Sequence, residues 1–171
     1  MAMAVLMFAK KANDHVIVNY DGNKDITLVS VDSSQAGGLV LPFANRGISF
    51  AYECPGNSVG CKPQRVEAVC HFDTYVNKGW QMMDGPKEVI FLMGQDRIAL
   101  DDVQWDGNTN LARSVPDAPT MLESLHGTIS PEQFHKLASA SELKVAVGSF
   151  KFEIKDDEIG KWRELDAKIS Q

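Results

Sequence analysis

Two ten-residue stretches, "FLMGQDRIAL" (91–100) and "VAVGSFKFEI" (145–154), share one skeleton. Each has an apolar triplet, a glycine, three variable residues, an apolar residue, a small or charged residue and a final apolar residue. A glycine followed by a polar residue is a two-residue hairpin turn, because glycine accepts the positive φ that a primed turn needs. Turning the second stretch at Gly148-Ser149 pairs Val147 with Phe150, Val145 with Phe152 and Leu143 with Ile154. Paired residues share a face. One face then holds Leu143, Val145, Val147, Phe150, Phe152 and Ile154, and the other Lys144, Ala146, Lys151 and Glu153. The same register at Gly94-Gln95 puts Val89, Phe91, Met93, Ile98 and Leu100 on one face, with Asp96 at the rim. Ile90, Leu92, Arg97 and Ala99 lie opposite, so this hairpin is apolar on both sides and belongs nearer the middle of a sheet. Turn chemistry and pleat alternation account for the shared skeleton without a ligand motif.

Similar patterns recur upstream. "HVIVNYDGNKDITLVSV" reads as a hairpin over a three-residue loop, Asp21-Gly22-Asn23, that pairs Val18 with Ile26 and Val16 with Leu28. "GISFAY" and "RVEAVCHFD" alternate as strands do. "SSQAGGLVLPFANRG" reads as a loop, and "DDVQWDGNTNLARSVPDAPT" as a long polar surface connection. In "SPEQFHKLASA", Ser130 is an N-cap, Pro131 takes the first helical position and Gln133 completes a capping box. "DDEIGKWRELDAKI" opens on two acids that suit a helix N-terminus and carries Ile159, Trp162, Leu165 and Ile169 on one face. The expected fold is α+β: a β-rich, mainly antiparallel sheet or sandwich with two late helices at about 130–140 and 156–169. At 171 residues the chain is expected to form a single domain over 1–171.

The run "FHKLASASELKVAVGSFKFEIKDDEIGKWREL" resembles the ending of small uncharacterised bacterial domains, often exported, in which a short helix, a glycine-turned hairpin and a final amphipathic helix follow one another. The resemblance covers the last third of the chain. It implies an exported location and no particular activity.

A net charge of −6 points away from nucleic acid, which selects a basic stripe. No apolar run approaches the ~20 residues of a membrane-spanning helix. The opening "MAMAVLMFAKK" has its lysines after the apolar run, the reverse of a secretory signal, so a first strand is expected there, with a trimmed signal remnant as the alternative. Of the three cysteines, Cys54 and Cys61 bracket the turn-rich "PGNSVG" and are expected to pair, which fits a periplasmic or extracellular compartment, with the cytoplasm as the alternative. Cys70 shares its face with Val66, Ala68 and Phe72 and reads as a buried free thiol.

Candidate chemistry is sparse. The cysteine and histidine spacings do not match paired zinc ligands. Glu67, His71 and Asp73 share the polar face of one strand, the arrangement of a solvated surface or of a metal-dependent enzyme site. Asp106, Asn108 and Asn110 alternate as calcium ligands do, although Leu111 stands where such a loop needs glycine. His15, His126 and His135 are scattered, and no nucleophile, P-loop or zincin signature occurs. Trp80 and Trp105, each flanked by polar turn residues, are candidates for a binding platform. These features point to a β-rich binding or accessory module for a protein or small ligand, with no cofactor. The alternatives are the metal enzyme and a subunit that pairs through an exposed strand edge.

Overall fold

The computed structural model describes residues 15–40, 43–108, 114–115 and 118–169. The opening apolar run and Asn110 lie outside the described residues. Two antiparallel sheets and two helices make up the fold, which is therefore α+β and β-rich. The larger sheet has seven strands. Its order is β1 (Val16–Asp21), β2 (Ile26–Val40), β3 (Phe43–Pro55), β4 (Val66–Tyr75), β9 (Ala118–Ile129) and β7 (Asp101–Asn108), with β8 (Ser114–Val115) also on β9. The smaller sheet has four strands in the order β11 (Phe150–Ile154), β10 (Leu143–Val147), β5 (Val89–Met93) and β6 (Asp96–Ala99). Helix α1 spans Pro131–Ala138 and α2 spans Asp156–Ile169.

Both glycine-turned hairpins form in the expected register: Val145 faces Phe152 and Phe91 faces Ile98. Gly94 and Gly148 take φ of 60° and 54°. The two hairpins then join side by side through β5 and β10, where Phe91 pairs with Val145. Those two residues hold the same place in the two ten-residue skeletons. A local two-fold axis therefore passes between them and relates one hairpin to the other.

Helix α1 is capped as expected, with the Ser130 side chain accepting from Gln133 N–H and Gln133 accepting from Ser130 N–H. His135 Nδ1 lies 2.7 Å from Asp166 Oδ2 and ties α1 to α2. The core is one cluster between the layers. Phe50 of the larger sheet meets Phe91, Phe134 and Trp162, while Phe43 and Phe72 meet Phe150 and Phe152. The apolar face of the 143–154 hairpin thus packs on rings of the larger sheet. Cys54 and Cys61 form the disulfide, and Cys70 is free and buried.

Three expectations are corrected. In the first hairpin Val16 faces Val31 and Val18 faces Val29, a shift of three residues from the expected pairing. The turn is Gly22–Asp25, with Asp25 at φ 52°, and three hydrogen bonds hold it: Asn23 N–H to Asp21 Oδ1, Tyr20 Oη to Asp25 Oδ1, and Gly56 N–H to the Asp25 carbonyl. Residues 33–40 and 43–47 are not a loop: β2 and β3 continue through them as paired strands, since backbone pairing needs no apolar pattern. The polar connection 101–120 contains β7, β8 and the start of β9. In β7 the alternation of Val103, Trp105 and Gly107 with Gln104, Asp106 and Asn108 is short, follows a bulge at Asp102 and ends in the turn-forming run Asp-Gly-Asn, so it reads as a connection.

Phe152 is 4% exposed and Lys151 is exposed. In urea melts Phe152→Ala should cost about 3–5 kcal/mol and Lys151→Ala less than about 0.5 kcal/mol; equal losses would mean the faces are assigned wrongly. Burial pushes the Cys70 thiol and the Tyr52 phenol up to about 12, from 9.0 and 10.0. The folded chain therefore keeps protons that the unfolded chain releases. The stability tied to these two groups is fully present below pH 9.0 and lost as pH rises toward 12. Urea midpoints should fall across that window, and Cys70→Ala should flatten the fall.

Candidate functional site

Alternation along β4 sends Val66, Ala68, Cys70 and Phe72 into the core and Glu67, Val69, His71 and Asp73 to the outer face. Antiparallel pairing builds rows across that face. One row runs Gln104, His126, Val69, Ser49, Asp32; the next runs Asp106, Ser124, His71, Gly47. His71 and His126 are diagonal neighbours on adjacent strands. Glu67 and His71 stand four residues apart, about 13 Å along an extended strand, too far to share one ion. Asp73 accepts from the Asn45 amide at 3.0 Å. Among the described residues no group of three or more side chains is placed to hold a metal. Asp106 and Asn108 lie on a strand instead of a wrapping loop.

Two concavities open on this face. One, of about 640 Å³, is walled by Arg65, Glu67, Asp102, Gln104, His126 and Thr128. The other, of about 460 Å³, is walled by Leu28, Glu53, Pro63, Gln64, Arg65 and Glu67. Arg65 and Glu67 belong to both. The disulfide and the Tyr52 hydroxyl, which donates to the Val59 carbonyl at 3.0 Å, fix the segment that leads to Arg65. Opposite Gly127, β7 carries an extra residue between the pairs Asp101–Thr128 and Gln104–His126. Asp102 in this bulge has φ 53°. A non-glycine residue at positive φ costs about 1 kcal/mol, and bulges often re-aim side chains at sites.

Trp80 and Trp105 also come together, at the core side of the sheet. Their rings meet edge to face at 5.5 Å and 89°. Both are half-buried, and the Trp105 indole donates to Glu123 Oε1 at 3.4 Å. Glu123 is fully buried. It also accepts from the Thr74 hydroxyl (2.7 Å) and from the backbone N–H groups of Gln81 and Met82 (2.9 Å each). These are neutral donors, and together they tie the segment after Tyr75 onto the end of the sheet. The tryptophans thus serve this closure. Gly107 makes room for it, since a Cβ there would lie 2.4 Å from Trp105 Cζ2.

The alternation made Glu67, His71 and Asp73 legible as one face. Arg65, Asp102, Gln104, His126, Thr128 and Glu123 were missed, because only the register of β4, β9 and β7 gathers them. Comparison with protein-family models, with curated proteins and with solved structures returns no match.

Glu123→Ala leaves several buried donors unsatisfied and should cost about 3 kcal/mol or more, at about 1–3 kcal/mol per orphaned group. Gly107→Ala should cost about 1–3 kcal/mol, the range for overpacking. Both should weaken the near-ultraviolet circular dichroism of the tryptophan pair. Near-wild-type melts and an unchanged spectrum for both variants would remove Glu123 as the anchor.

Proposed function

We propose that this chain is a binding module that takes an extended ligand bearing amine or hydroxyl groups across the outer face of the larger sheet. The observation that carries this reading is the sharing of Arg65 and Glu67 by two adjoining concavities. An extended ligand is better served by such a run than by either hollow alone. The ligand class follows from the walls. Glu53, Glu67 and Asp102 outnumber Arg65, so acceptors for amines and hydroxyls prevail and anions are repelled. Gln104, His126 and Thr128 add neutral hydrogen-bonding groups. An exported location is part of the proposal; the disulfide fits an oxidising compartment. No helix among the described residues is long and apolar enough to cross a membrane.

The test is a nuclear magnetic resonance screen of the isotope-labelled full chain against small amines and polyols. Shifts are expected at the amides of residues 65–67, 102–104 and 126–128. Glu67→Gln should weaken the binding roughly tenfold, the equivalent of one charge-assisted hydrogen bond at about 1.5 kcal/mol. Shifts confined to the Trp80–Trp105 end, or none at all, would overturn the assignment.

A further inference from the structure

The two hollows of the outer face meet at Arg65 and Glu67, and Asp102 stands on the wall of the larger one. All three side chains are exposed, and none makes an ion pair among the described residues. One cation and two carboxylates therefore face a shared space without neutralising one another.

Strand pairing sets their spacing. Glu67 lies on β4 and Asp102 on β7, two strand spacings or about 10 Å apart, with Gly127 and Thr128 of β9 between them. Arg65 precedes Glu67 by two residues, about 7 Å along an extended chain. The midpoint between the two acids is thus roughly 8 Å from the Arg65 backbone, one strand across and two residues along. An ammonium group at that midpoint meets an acceptor on either side, while the guanidinium of Arg65 offers the planar fork that matches a carboxylate. A ligand with an amine alone meets Arg65 as a like charge. A ligand with a carboxylate alone meets the excess of acids. A ligand that carries both, at the two ends of a short chain, complements the whole set.

We propose that the ligand is the C-terminal lysine of a peptide. Its side-chain ammonium lies between Glu67 and Asp102, its terminal carboxylate lies on Arg65, and the residues before it run into the second hollow. This inference rests on the outer face being the binding surface and names the ligand class for that reading. Three features favour a peptide end over a free amino acid. The four methylene groups of lysine cover the offset between Arg65 and the acids, which an α-ammonium one carbon from its carboxylate does not. In a peptide the α-nitrogen is an uncharged amide, whereas in free lysine it is a second ammonium held beside Arg65. The second hollow continues from Arg65, with Leu28 and Pro63 to take an apolar side chain and Glu53 and Gln64 to take backbone N–H groups.

The isotope-labelled full chain should be titrated with acetyl-alanyl-leucyl-lysine, with the C-terminal amide of that peptide, with free lysine and with 1,5-diaminopentane. The free-acid peptide should shift the amides of residues 65–67, 102–104 and 126–128, together with those of Leu28, Glu53 and Gln64. It should bind roughly tenfold more tightly than its amide, as expected for one added charge-assisted contact. Arg65→Gln should erase that difference, and its melting should match the wild type because Arg65 is exposed. Equal affinity for acid and amide, or for the peptide and free lysine, overturns the proposal while 1,5-diaminopentane still shifts the hollow and upholds amine binding there. A preference for the acid that survives Arg65→Gln overturns the placement of the carboxylate. No binding by any of the four overturns both this inference and the groove reading on which it rests.

Discussion

Phe50 is the contact on which the layers depend. Its ring, fully buried in β3, lies 4.8 Å from Phe134 of α1, 4.9 Å from Trp162 of α2 and 6.0 Å from Phe91 of β5. One side chain of the larger sheet thereby meets the smaller sheet and both helices. Aromatic pairs of this kind add about 0.5–1.5 kcal/mol each beyond the area they bury. The second ring group, Phe43, Phe72, Phe150 and Phe152, extends the seam toward the tip of the late hairpin. The second layer lies on one side of the larger sheet; on the other, Glu67, Gln104, Asp106 and His126 are exposed, whereas Asp73, Thr120 and Ser124 are buried.

Two groups of buried polar side chains each secure a junction. Arg46 stacks on Phe152, its guanidinium carbon 4.4 Å from the ring centre, and donates to the Glu153 carbonyl at 3.2 Å, so it bridges the sheets. Burial lowers its proton affinity, and the Glu158 charge works against that loss. Burial likewise raises the Glu158 carboxyl, which Arg46 and the Lys155 backbone N–H pull back down. Such a pair contributes little net stability, because desolvation offsets attraction. At the other place Glu123 gathers neutral donors around one carboxylate. A buried carboxyl group with several hydrogen bonds aimed at it tolerates few rearrangements, which is how the segment after Tyr75 is held in one place.

Under the proposed function the outer face is where the molecule meets its ligand. That face is mostly polar, and it is concave where the disulfide-stapled segment leads to Arg65 and where β7 bulges. A polar hollow selects a ligand by hydrogen bonding and charge. Strand β1 differs in kind: Ile17, Val18 and Tyr20 leave apolar surface nearly half exposed beyond the reach of the second layer.

Local chemistry decided much by itself. The hairpin 143–154, the caps of α1, the extent of α2 and the Cys54–Cys61 closure were all legible, because each rests on residues within about a dozen positions of one another. The outward face of β4 was legible through simple alternation. Strand β9 was not. Glu123 and Gly127 occupy core-side positions where the period calls for apolar side chains, so its alternation is broken where it matters most. The three-residue shift in the first hairpin escaped because the turn runs on to Asp25, which takes the left-handed position and is held there by Tyr20 and Gly56 from outside the turn. The same holds for the site: Glu67 was visible on its strand, but Arg65, Asp102 and His126 come from three separate segments. Sequence determined the elements and the faces they bury, since turns, caps and alternation act between near neighbours. Only the tertiary structure decided which strands lie side by side, and hence which side chains share a hollow, because strand pairing is settled by backbone hydrogen bonds and packing between residues far apart in the chain.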